Sequence, residues 1–132
     1  MSEKKKILLV DDNPDFVDAT RLVLEAKGGF EVVVAYDGVE GLEKTKQEKP
    51  DLIVLDVMMP NKHGYKMCEE INADKEYSKI PIILLTSVAS HIKDTEFTHR
   101  MGMETEADDY LEKPVDPDEL LKTIKHHLSK NK

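Results

Sequence analysis

Cysteine is nearly absent: Cys68 stands alone among 132 residues. No disulfide can form within the chain, and the composition fits a reducing compartment. Long apolar runs are missing as well. Nothing approaches the roughly 20 apolar residues of a membrane-spanning helix. The first apolar run, Ile7 to Val10, stops at Asp11, too soon for the core of a signal peptide. These absences predict a cytoplasmic protein with no membrane insertion. Positive charge is also in short supply, with 27 acids against 19 bases and a net charge of −8. Nucleic-acid binding rests on neutralising phosphates with Lys and Arg, so no direct nucleic-acid partner is expected. The basic run Lys4-Lys5-Lys6 reads as solvated surface beside a first strand rather than as a targeting patch. Aromatics are few at 5%, and six glycines and six prolines point to no fibrous or low-complexity class.

What remains suits one domain. Hydrophobic residues make up 39% and charged ones 35%, as in a soluble globular chain. At this length, about two-thirds of the unfolded surface can be buried in a single layered core. No linker or internal repeat stands out, and strand-length apolar runs alternate with amphipathic helix-length segments.

Ile7-Leu8-Leu9-Val10 is continuous rather than alternating, as in a strand covered on both faces. Asn13 then reads as a helix N-cap with Pro14 in the first turn. Phe16, Ala19, Val23 and Ala26 share one face, and Gly28-Gly29 ends the helix. A second strand spans Glu31 to Ala35, and a helix capped by Asp37 runs from about Gly38 to Glu48. Leu52 to Leu55 is a third buried strand, ending at Asp56. A loop from Val57 to His63 precedes a helix from Gly64 to about Asp74. Ile80 to Leu85 is a fourth strand, ending at Thr86. Ser87 to about Met101 reads as helical, and Tyr110-Leu111 as a short fifth strand. The last helix has the clearest start, with Asp116 as cap, Pro117 first and Glu119 in the capping-box position. Leu120, Leu121, Ile124 and Leu128 supply its buried face. Five strand–helix units in series predict an α/β fold with a doubly wound parallel sheet. In such folds ligands sit beyond the carboxyl ends of the strands.

That rule turns a sequence pattern into a site. Asp11-Asp12, Asp56, Thr86 and Lys113 all fall where a strand ends, so a parallel sheet brings them to one edge. Each alone has a bland reading. Asp11 to Asn13 suit a helix cap, Asp56 a turn, Thr86 a structural hydroxyl, Tyr110 an edge-strand packing residue, and Lys113 a solvated loop charge. Their joint occurrence in this order carries the weight. Crowded carboxylates repel unless a cation intervenes. A hard divalent ion with oxygen ligands answers that need, and Mg2+ suits a few carboxylates, retained waters and phosphate oxygens. No EF-hand pattern supports a Ca2+ site. Lys113 adds a compact positive charge and Thr86 a hydroxyl, both suited to phosphoryl oxygens. His91, His99, His126 and His127 match no compact ligand spacing. The methionines read as packing, and Cys68 as a helix residue with no paired base.

The paired acids after Ile-Leu-Leu-Val, the block Leu-Asp-Val-Met-Met-Pro-Asn-Lys-His-Gly, the strand end Leu-Leu-Thr-Ser and Asp-Asp-Tyr-Leu-Glu-Lys-Pro together resemble receiver domains of response regulators. The resemblance covers nearly the whole chain. It implies a flavodoxin-like sheet of strand order 2-1-3-4-5 with helices on both faces. It implies that Asp56 accepts a phosphoryl group, that Asp12 binds Mg2+ directly and Asp11 mainly through water, and that the Met58 carbonyl is a third protein ligand. Backbone N–H groups of Met58 and Ser87 would hold phosphoryl oxygens. Thr86 and Tyr110 would form the switch pair, Lys113 would contact the phosphoryl group, and the Lys113–Pro114 peptide would be cis. The implied partners are a sensor histidine kinase or phosphotransfer protein and an unknown downstream protein. Such a domain catalyses its own modification while acting as a signal, through the face of the fourth helix, fifth strand and last helix.

Residues 1–132 are thus expected to form one stand-alone receiver domain without an output domain. The segment from Thr86 to Lys113 is longer than is common in such domains, with the surplus placed at Met101 to Glu106. Three alternatives are weaker. A receiver-like interaction module that is not phosphorylated would not need the acids, Thr86 and Lys113. A flavin carrier would want a phosphate-cradling first loop, where Asp11-Asp12-Asn13-Pro14 would repel. A dehalogenase-type phosphatase would need an acid where Met58 stands.

Overall fold

The computed structural model describes residues 4–57, 64–87 and 107–130. Ile7, Leu8, Leu9 and Val10 are all fully buried because β1 (Lys6–Val10) lies inside the sheet, with β2 (Glu31–Ala35) on one side and β3 (Leu52–Asp56) on the other. β4 (Ile82–Ser87) and β5 (Asp109–Lys113) complete it. All pairings are parallel, and the order is β2-β1-β3-β4-β5. This is the flavodoxin-like, doubly wound sheet.

Successive strand residues point to opposite faces, and each face has its own apolar cluster. Ile7, Leu9, Leu52, Val54, Ile83 and Leu85 pack with Val17 and Leu24 of α1 (Pro14–Ala26) and with Leu120, Leu121 and Ile124 of α4 (Pro117–Lys130). Leu8, Val10, Ile53, Leu55, Ile82 and Leu84 pack with Met67, Cys68 and Ile71 of α3 (Gly64–Ala73), and Leu42 of α2 (Gly38–Glu48) joins them. Fully burying one such side chain contributes about 1.5–3 kcal/mol before ordering costs. The two-sided burial explains why these strands read as continuous apolar runs.

Local signals set the helix starts. Asn13 caps α1 by accepting from the N–H groups of Asp15 and Phe16, and Asp37 caps α2 by accepting from Glu40 N–H. Gly29, at φ +68°, takes a left-handed conformation that a side chain would strain.

Some boundaries differ from the sequence expectation. β4 starts at Ile82, not Ile80. Pro81 has no N–H for the ladder, although its carbonyl accepts from Ile53, and Ile80 instead closes a turn onto Tyr77. Lys113 is the last residue of β5 rather than its successor. The buried face of α1 is Val17, Thr20 and Leu24, with Phe16 and Val23 only partly buried and Ala19 and Ala26 exposed. The helix is turned so that Val17, Thr20 and Leu24 face inward while Leu22 stays exposed. The helix expected from Ser87 to about Met101, the surplus at Met101 to Glu106, and Met58 lie outside the described residues.

Candidate functional site

The ladder between β1 and β3 pairs Val10 with Leu55. One step further along the chain stand Asp11 and Asp56, both at the carboxyl edge of the sheet. Both continue the alternation that sends Leu9 and Val54 to the α1–α4 face. Lys113, two residues after Leu111 on β5, follows the same alternation. Three chemically useful side chains therefore emerge on one face of one edge.

Asp11 is fully buried, and Asp56 is 7% exposed. Asp12 is exposed at the rim. Carboxylate oxygens of the three lie within 4.8 Å of one another. Two like charges at that separation repel by about 3.5 kcal/mol at an effective dielectric of about 20. Lys113 partly answers this, with its Nζ 2.7 Å from Asp11 Oδ2 and 3.5 Å from Asp56 Oδ2. Burial alone would lower the lysine pKa. The Asp11 and Asp56 carboxylates outweigh that effect and hold the ammonium above the usual lysine value.

One cation does not balance three anions. Asp11 Oδ1 accepts from Asn13 N–H at 2.9 Å. Oδ2 is fully buried and accepts no well-directed hydrogen bond, the contact with Lys113 being an ion pair. A buried carboxylate oxygen left so, beside two further carboxylates, fits a hard divalent cation with oxygen ligands.

Other expected residues are placed as follows. Thr86 and Ser87 end β4, paired with Glu112 and Lys113 of β5. Tyr110 sits opposite Leu84 and is 45% exposed. By strand alternation Thr86 and Tyr110 belong to the sheet face opposite Asp56 and Lys113. The Lys113–Pro114 peptide is cis. Two contacts escaped the sequence reading. The Phe16 ring lies under the Lys113 ammonium, 4.8 Å from its centroid. His127, on the buried side of α4, has Nε2 2.9 Å from Asp109 Oδ2. The first had no sequence signal, since Phe16 read only as an apolar-face residue. For the second, the inward position of His127 had a signal, three residues after Ile124 on the helix, but its partner Asp109 had none.

Comparison with known proteins decides what this arrangement belongs to. The model of the response regulator receiver domain matches residues 7–125. The chain belongs to that family. It is 42% identical over 127 residues to the alkaline phosphatase synthesis transcriptional regulatory protein PhoP of Bacillus subtilis, covering 96% of this chain and 50% of the relative. The receiver thus spans about half the length of that relative. A CheY-like receiver domain protein from Methanospirillum hungatei superposes with a TM-score of 0.81 at 34% identity, covering 97% of this chain and 96% of the other. The receiver domain of a Pseudomonas aeruginosa sensor histidine kinase gives 0.81 at 26% identity, covering 96% and 99%. In that structure a magnesium ion is coordinated in the active-site cleft. Among the described residues of this receiver, no helix is long and apolar enough to cross a membrane.

Proposed function

We propose that this receiver is a phosphorylation-operated switch in which Asp56 accepts a phosphoryl group at a Mg2+ site formed with Asp11 and Asp12. The observation that carries the reading is the convergence of three carboxylates within 4.8 Å, with a lysine ammonium in contact with two of them. Such a set suits phosphoryl transfer, where catalysis is mostly positioning and charge stabilisation.

Asp56 Oδ attacks phosphorus in line. The bond from phosphorus to the donor breaks, and its electron pair leaves with the donor. A phosphohistidine of a sensor kinase or phosphotransfer protein releases its imidazole nitrogen, and acetyl phosphate releases acetate. Lys113 offsets charge on the phosphoryl oxygens. Backbone N–H groups of Ser87 and Met58 are assigned to the same oxygens, and the Met58 carbonyl to the metal. Mg2+ held by Asp11, Asp12 and Asp56 would supply positive charge to offset the negative charge gathered at the site. Water later attacks phosphorus, the bond to Asp56 breaks, and inorganic phosphate leaves with the carboxylate restored.

The readout is a two-state conformational equilibrium biased by the added charge. Thr86 moves toward the phosphoryl group, and Tyr110 turns in the space it leaves. That movement reshapes the surface around β5 and α4 for a downstream protein. Inverting a 1:99 population fully would take about 5.5 kcal/mol of differential interaction.

Intact-protein mass spectrometry after incubation with acetyl phosphate tests the reading. The expected result is one added phosphoryl mass that requires Mg2+ and is absent from Asp56→Asn. No added mass from acetyl phosphate or from a kinase, together with no Mg2+ binding, would leave a receiver-like interaction module.

A further inference from the structure

Lys113 carries its ammonium on a flexible four-carbon stem toward two carboxylates that compete for it. The rest position favours Asp11, at 2.7 Å, over Asp56, at 3.5 Å. Something must limit the travel of this group if it is to meet a phosphoryl group on Asp56 in a defined place.

The contacts around it close on themselves. Asp11 Oδ1 accepts from Asn13 N–H. Asn13 Oδ1 accepts from Phe16 N–H, at 3.2 Å. The Phe16 ring faces the Lys113 ammonium at 4.8 Å, and that ammonium returns to Asp11 Oδ2. The first turn of α1, pinned by its own cap, thus places an aromatic face against the ammonium that the two acids also hold. Phe16 is only partly buried, at the rim of the apolar cluster. Core filling does not require an aromatic ring there, whereas an ammonium over a ring face is attracted by the ring quadrupole.

We infer that Phe16 is a positioning residue for phosphoryl transfer, holding the Lys113 ammonium through its ring face in the orientation that meets the phosphoryl oxygens on Asp56. The inference rests on the phosphotransfer reading above and adds to it a residue outside the acid cluster.

The test compares Phe16→Leu and Phe16→Met, which keep an apolar side chain, with Phe16→Tyr, which keeps the ring. Two quantities are read on folded protein. The first is kcat/KM for phosphorylation by acetyl phosphate with saturating Mg2+. The second, in metal-free protein, is the proton shift of the lysine ε-methylene signal that Lys113→Met removes. Both non-aromatic variants should lose about three- to tenfold in kcat/KM and lose the upfield ring-current shift. Phe16→Tyr should restore both. Should Phe16→Leu not fold, Phe16→Met supplies the comparison. Unchanged rates in folded non-aromatic variants, with an active wild type, would overturn the inference and leave the phosphotransfer reading standing. An equal loss in Phe16→Tyr would overturn it too, since it would point to packing rather than the ring face. A wild type that takes no phosphoryl group would remove the phosphotransfer reading, and the positioning role with it.

Discussion

Replacing Asp56 with asparagine removes one of three carboxylates crowded within 4.8 Å while keeping the shape of the side chain and one acceptor oxygen. The stability change combines charge–charge terms set by distance with the cost of burying the ion. At an effective dielectric of about 20, relief of the Asp11 repulsion is worth about 3.5 kcal/mol. Asp12 is exposed, so its share lies nearer the aqueous limit, about 1 kcal/mol. Against these stands the lost attraction to Lys113 at 3.5 Å, about 4.7 kcal/mol on the same scale. The Coulomb terms nearly cancel, so desolvation decides. Asp56 is 7% exposed, and holding an ion there costs several kcal/mol, against about 1–3 for an amide. Asp56→Asn should therefore be more stable than wild type by about 1–2 kcal/mol without divalent ions, a rise of roughly 3–6 °C in Tm. The assay is thermal melting by circular dichroism in EDTA, repeated with Mg2+. Wild type should gain about 2.7 kcal/mol at 100 times its Kd, and the variant distinctly less. A variant that melts below wild type in EDTA would show that attraction to Lys113, not crowding and burial, dominates at Asp56. An undiminished Mg2+ response would remove Asp56 from the ligand set.

Lys113→Met should be destabilised in EDTA by about 2–4 kcal/mol, because two buried carboxylates lose their counter-charge; urea titration measures this, and Mg2+ should recover much of it. The lysine pKa is raised above 10.5, so its stabilising contribution is complete below that value and lost as pH rises through the folded value. The gap between wild type and Lys113→Met should therefore be flat from about pH 7 to 9 and shrink only above about pH 10.5; a gap that closes by pH 9 would contradict the raised pKa. His127→Ala should cost about 1–3 kcal/mol by emptying the buried ring site and removing its part-buried contact with Asp109, and equal urea midpoints would refute that. Gly28→Ala should lower stability by about 1–3 kcal/mol, since a Cβ there would meet Leu24 O and the Phe30 ring at 2.7 Å and Leu121 at 2.8 Å. Gly29→Ala, with open space but a left-handed backbone, should lose only about 1 kcal/mol, so chemical denaturation should separate the neighbours.

Most of the fold was legible because its signals are local. Asn13 and Pro14 mark the start of α1, Asp37 caps α2, and three continuous apolar runs, in β1, β3 and β4, mark strands buried on both faces. The pattern of polar residues at strand ends was also enough to nominate Asp11, Asp12, Asp56, Thr86 and Lys113, because parallel strands deliver their carboxyl ends to one edge. Boundaries resting on a longer-range effect were less legible. Pro81 delays β4, and the rotation of α1 onto Val17, Thr20 and Leu24 depends on packing against the sheet and α4.

What only the tertiary structure decided is which of the nominated groups touch. Strand order and register set Asp11 beside Asp56, and alternation along β5 brings Lys113 to the same face. The Phe16 ring beneath that ammonium and the His127 contact with Asp109 join residues 97 and 18 positions apart. Residue type and spacing determine a strand end or a helix face, because those depend on neighbours along the chain. The distance between a ring and an ammonium on different elements depends on how helices settle on the sheet, and a local pattern does not encode that.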